Sequence, residues 1–163
     1  MSIPADRDDD RGQRERWTGE RQFFMHRFEE ATLALLRVMS GLMLMQHGAQ
    51  KLFGELGGWR GEPGATAPLL SQSGVAGLLE IFVAPLLVVG LFTRPVAFLF
   101  SGMLAVAYFQ VHAPDGFWPI VNRGELAALY CFLFFYISAR GGGKYSVDAW
   151  RGRRHNVRNL RRI

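Results

Sequence analysis

Gly77-Leu-Leu-Glu-Ile-Phe-Val-Ala-Pro-Leu-Leu-Val-Val-Gly90 places one carboxylate, Glu80, inside an otherwise apolar run whose nearest basic residue in sequence is Arg94. In hydrocarbon such a carboxylate needs a partner or a proton, and either need marks it as a candidate for function. The run is too long and too evenly apolar for a surface helix, where a polar face is expected. Working outward from it, the 163-residue chain shows a sharp segregation of charge that its +5 net charge conceals. Residues 1–28 carry six Arg and six Asp/Glu, and residues 140–163 carry eight Lys/Arg with Asp148 as the only acid. The 111 residues between them hold five basic and seven acidic groups.

That middle contains four apolar stretches, 29–52, 74–92, 95–113 and 122–139. Each is close to the ~20 residues a helix needs to cross ~30 Å of hydrocarbon. The expected fold is therefore an all-α integral membrane four-helix bundle. Lys and Arg near span ends are retained in the cytoplasm, so the two basic ends and Arg94 in the second loop put both termini on the cytoplasmic side. Trp17 and Trp150 then fall at the inner interface, Trp59 and Trp118 at the outer one. Met1–Gln22 is charged and lacks the apolar core of a cleavable signal.

The expected organisation has three parts. Residues 1–28 form a charged cytoplasmic segment, disordered over 1–16 and then either an interfacial helix or a plain extension of span one. Residues 29–150 form the membrane domain, and 151–163 a basic cytoplasmic tail suited to an anionic lipid leaflet. Without interleaved aromatics the tail is not read as a nucleic-acid site. The first outer loop, to Ser73, is glycine-rich and could fold over the bundle mouth, and Pro85 should kink span two and free a backbone carbonyl for a neighbour. Cys131 is the only cysteine, so no intrachain disulfide relay exists, and it reads as a packing residue.

Span one carries Arg37, Ser40, Gly41, His47, Gly48 and Lys51 at spacings of three and four, so polar and small residues share one face. Span three places Ser101, Tyr108 and His112 similarly, and span four begins with Asn122 and Glu125. Counting ~1.5 Å per residue from each midplane puts His47 and Glu125 level in the outer half, His112 near the outer surface and Glu80 nearer the middle, with Arg37 below but within side-chain reach of it. Two roles fit Arg37, His47, Lys51, Glu80, His112 and Glu125. Arg37 and Glu80 could form a structural ion pair. Alternatively the cluster is a binding or proton-handling pocket in which His47 hydrogen-bonds a quinone carbonyl and Glu125 passes protons outward. His47 and His112 are also candidate axial ligands for haem, although a bare histidine pair carries no further haem pattern, and no spacing resembles a zinc site.

Taken together, Leu36-Arg-Val-Met-Ser-Gly-Leu-Met-Leu-Met-Gln-His-Gly-Ala-Gln-Lys-Leu-Phe-Gly54, Glu80, Leu87-Val-Val-Gly-Leu-Phe-Thr-Arg-Pro95, Asn122-Arg-Gly-Glu125 and Gly141-Gly-Gly-Lys-Tyr-Ser-Val-Asp148 resemble the DoxX family of small bacterial four-span membrane proteins. The resemblance covers about residues 30–150. Its matching positions are Arg37, His47, Gly48, Lys51, Gly54, Glu80, Arg94, Glu125, Tyr145, Ser146 and Asp148. Gly142 stands where the family often has proline, which loosens that turn. The resemblance implies a multi-pass inner-membrane protein associated with quinone-linked oxidoreductase or redox-stress complexes, as for the related DoxD subunits of thiosulfate:quinone oxidoreductase. With no flavin, nucleotide or Fe–S motif in the chain, electrons would come from a redox partner protein or bound haem. The competing class is a non-enzymatic scaffold, or a carrier of a small solute or proton.

Overall fold

The computed structural model describes the backbone of residues 7–160 and the side chains of 21–153. Every regular element among the described residues is helical. Helix α1 (Arg7–Phe53) runs into the long glycine-rich loop that ends at Ser71. Helices α2 (Gln72–Phe82) and α3 (Ala84–Val89) together fill the second apolar stretch. Helix α4 (Thr93–Ala107) continues through a π-helical turn at Tyr108–His112. After a short helix α5 (Pro119–Asn122), helix α6 (Glu125–Arg140) returns, and α7 (Val147–Leu160) closes the chain.

Helix α1 begins at Arg7, within the charged N-terminal segment. Residues 1–6 lie outside the described residues. Among the described residues two stretches, 72–89 and 93–115, are long and apolar enough to cross a membrane. The other two expected spans differ for visible reasons: Arg37, Gln46 and His47 dilute the apolar part of α1, and α6 has only 16 residues.

Small residues set the packing. A Cβ on Gly41 would lie 2.8 Å from Val88 Cγ2, and one on Gly48 would lie 2.8 Å from Ile81 Cγ1 and 2.9 Å from the Glu80 Cβ. Seven residues forward along α1 thus match seven residues back along α2 and α3, and close approach of the two backbones fixes their antiparallel register. On the other side α4 packs along α6, joined by Ser101 Oγ donating to the Cys131 carbonyl at 2.9 Å. Leu44, Leu87, Phe100, Phe134 and Ile137 fill the centre where the two helix pairs meet. Outward-facing positions are also apolar, with Phe82, Phe98, Phe109, Leu129 and Phe132 all exposed. Such a surface is suited to lipid rather than water.

The end of the bundle carrying both termini is held by buried polar side chains. Arg37, only 2% exposed, donates to the carbonyls of Leu87, Val88 (2.8 Å) and Tyr145 (2.9 Å). The expected Arg37–Glu80 pair is therefore absent. Arg37 instead binds carbonyls left free at the C-terminal end of α3, where the last turn of a helix has no partners of its own. Pro85 does interrupt the span, since α2 ends at Phe82, but the carbonyls taken by Arg37 lie at the helix end and not at the kink. Gly90 has φ 74°, and a Cβ there would lie 2.6 Å from Arg37 Nη1, so the turn needs glycine on both counts.

The Gly141–Asp148 segment completes this knot. Glu30 accepts from Arg140 Nη2 at 2.9 Å and from the Lys144 amide, tying α1 to the end of α6. Asp148 accepts from the Phe92 and Thr93 amides at 2.9 and 2.8 Å, satisfying the first turn of α4 from a distant part of the chain. Burial would push the Asp148 carboxyl up, but those hydrogen bonds and the charge of Arg151 more than offset it, and the net shift is downward. A lowered folded-state value stabilises the fold above the unfolded value of ~3.9, and that stability is lost as pH falls through the folded one. Acid unfolding of Asp148→Asn should accordingly show a weaker pH dependence below about pH 4 than the parent, monitored by circular dichroism in detergent.

Candidate functional site

At the opposite end the two helix pairs diverge, and a cavity of about 760 Å³ lies between them. Leu79 on α2, Leu99, Met103 and Leu104 on α4, and Leu126 and Ala127 on α6 make most of its wall apolar. Leu44 joins it to the packed centre below. The lining residues Val75 on α2 and Leu99 and Val106 on α4 are exposed, so the cavity opens laterally beside these helices. An apolar chamber with few convergent polar groups is the usual form of a small-molecule site.

Its polar corner is built by the α1–α2 register. Because Gly48 lies against Glu80, Lys51 sits one turn further along the same face, and its Nζ contacts both Glu80 carboxylate oxygens at 2.6 Å. Gly77 leaves room for the lysine stem, since a Cβ there would be 3.1 Å from the Lys51 Cβ. Glu80 is 3% exposed and Lys51 22%. The buried carboxylate thus has its counter-charge from Lys51, and the pair presents no net charge to the cavity. His47, one turn below Lys51, also lines the chamber.

Gln72, Ser73 and Arg123 also line the chamber, as does His112. It falls in the π-helical turn, where the Ala113 amide bonds the Tyr108 carbonyl five residues back. Such turns re-aim side chains and recur at functional sites. His112 Nδ1 lies 3.1 Å from the Asn122 carbonyl, which can only accept, so Nδ1 carries the proton. Asn122, itself buried, is fixed by donating to the Gly116 carbonyl at 2.7 Å and accepting from the Gly124 amide at 2.8 Å. A Cβ on Gly124 would lie 2.6 Å from the Tyr108 ring.

Of the six candidate pocket residues, the structure brings His47, Lys51, Glu80 and His112 to the cavity. Arg37 sits in the knot at the other end, and Glu125 is exposed and outside the lining. Glu125 opens α6, and at about 100° per residue its neighbours Leu126 and Ala127 take the inward positions. Two residues that the depth count did not assign to the pocket matter here. Asn122 orients His112, and Tyr130 on α6 lines the chamber while its hydroxyl reaches Met43 Sδ on α1 at 2.9 Å. Three turn residues together, Asn122-Arg-Gly124, were the available signal for the first.

The DoxX family model matches residues 32–113. A protein of Haemophilus influenzae described as an uncharacterized protein is 40% identical over 128 residues, which cover 76% of this chain and 93% of that one. The chain belongs to the DoxX family. It is a membrane protein, and the apolar outer surface and the two membrane-length stretches accord with that. No solved structure matches the DoxX chain. The matched region includes His47, Lys51, Glu80 and His112, whereas Asn122, Arg123 and Tyr130 lie beyond its end.

Proposed function

We propose that this DoxX protein crosses the bacterial inner membrane four times with both termini cytoplasmic, and that its cavity binds the ring of a quinone for a membrane-bound redox complex. The first and fourth spans are the apolar part of α1 and α6. In this orientation the Arg37–Asp148 knot faces the cytoplasm and the cavity the outer half of the bilayer. The basic tail beyond Trp150 then lies against the anionic inner leaflet.

The observation that carries the reading is a mostly apolar wall beside a few polar side chains, among which Lys51 and Glu80 neutralise one another. A cation would face Leu79, Met103 and Leu104 and the Arg123 guanidinium, at a desolvation cost that a neutral amphiphile avoids. A quinone has an apolar body with polar atoms at its ring, and the lateral opening admits it from lipid. The quinone would supply two-electron redox chemistry, while the chain's residues hold and orient the ring. A redox partner protein would deliver the electrons.

Binding should raise the melting temperature of the purified protein. A short-chain quinone at a hundred times its Kd adds about 2.7 kcal/mol of apparent stability. An unchanged melting temperature at saturating quinone, in protein shown to be folded, would sink the reading.

A further inference from the structure

The polar side chains of the chamber gather at its loop end. Lys51 lies in the last turn of α1, Gln72 and Ser73 open α2, His112 ends the π-helical turn and Arg123 precedes α6. Leu44 and Tyr130, each seven residues from that level, lie about 10 Å further in along α1 and α6. With the two histidines neutral, the charged residues of the lining are Lys51, Glu80 and Arg123. Lys51 and Glu80 cancel one another at 2.6 Å, which leaves a single positive charge, that of Arg123. Its backbone is held on both sides. The buried Asn122 before it donates to the Gly116 carbonyl at 2.7 Å, and Gly124 after it gives its amide to Asn122 Oδ1 at 2.8 Å. Between them Arg123 has φ 58°, a left-handed conformation that the adjacent glycine would adopt at lower cost. Arg60 shares that φ, and its guanidinium lies 4.4 Å from the Trp59 ring centroid. The Arg123 guanidinium has no ion pair, hydrogen bond or ring partner among the described residues.

A guanidinium at the rim of an apolar chamber holds an anionic oxygen more strongly than a neutral one, because both partners of the hydrogen bond are then charged. Gln72 and Ser73 add donors at the same end. We infer that the chamber takes an acidic lipophilic ring, one carrying an ionised hydroxyl or carboxyl group, with its apolar body toward Leu44 and Tyr130 and its anion at Arg123. This rests on the reading of the chamber as a ring-binding site and adds the charge of the ring. Arg123 is a specificity-determining residue, and Asn122 and Gly124 position it.

The test uses the full chain in nanodiscs with three probes of one skeleton: a hydroxynaphthoquinone, which is ionised at neutral pH, its methyl ether, and the unsubstituted naphthoquinone. With partition into protein-free nanodiscs subtracted, the hydroxynaphthoquinone should bind about tenfold more tightly than the other two, the factor for one charge-assisted hydrogen bond at a solvent-facing site. Added salt should shrink that preference. Arg123→Gln should remove it, with the methyl ether Kd within about twofold of the parent value, and Arg123→Lys should keep most of it. Equal or tighter binding of the ether or the unsubstituted ring to the parent protein overturns the inference but leaves the ring-binding reading standing, and this comparison decides the matter even if a variant does not fold. A preference that survives in Arg123→Gln overturns it as well. Failure of all three probes to bind overturns both readings. A phospholipid that stays on the purified parent and is lost from Arg123→Gln also overturns the inference, because the guanidinium would then hold a lipid phosphate.

Discussion

Arg37→Ala should lower the unfolding free energy of the detergent-solubilised protein by about 3–5 kcal/mol, the range for removing a large buried side chain together with its hydrogen bonds. Three carbonyls, of Leu87, Val88 and Tyr145, lose their charged donor, and two of them belong to the end of α3. Because the same knot holds the Gly141–Asp148 segment on the Gly90 turn, protease cleavage after Lys144 should accelerate in the variant. Arg37→Ala and Glu80→Gln should add to within about 0.5 kcal/mol, as distant sites with no shared partner do. An ion pair between them would instead give strong coupling, so a double-mutant cycle by thermal or denaturant unfolding separates the two arrangements.

Lys51→Met should destabilise by a similar amount for a different reason. It leaves the Glu80 carboxylate buried with no counter-charge, and breaking one side of a buried pair costs about 3–5 kcal/mol. Lys51→Met combined with Glu80→Gln should recover most of that loss, because the pair as a whole contributes far less than the penalty for orphaning one member. Equal unfolding midpoints for the single and double variants would count against the Lys51–Glu80 geometry. A quinone Kd that rises in Lys51→Met and returns in the double variant would tie the corner to ligand binding.

Helical class, the apolar runs and the polar face of the first run were legible because helical periodicity is local. Partner assignment depended on register between helices, and counting rise from assumed midplanes could not supply it. The information was nonetheless present in small residues. Gly41 and Gly48 are seven apart, and their close approach to Val88 and to Ile81 and Glu80 places Lys51 beside Glu80 and leaves Arg37 about 20 Å from Lys51 along α1. Asp148 and Glu30 were hidden for another reason. Each acts on backbone amides more than 50 residues away in sequence, and such contacts leave no periodic trace. The π-helical turn that re-aims His112 also has no signature in composition, and the one-residue rotation that turns Glu125 away from the chamber follows from where α6 starts.

The central claim is that a lipophilic ring occupies the chamber between the two helix pairs, and photoaffinity labelling tests it most directly. An azidoquinone irradiated with the intact protein in nanodiscs, then mapped by mass spectrometry, should label Met103–His112 and Leu126–Tyr130, and an excess of unlabelled quinone should abolish that labelling. Labelling confined to outward residues such as Phe98 and Phe132, with no competition, would contradict the account.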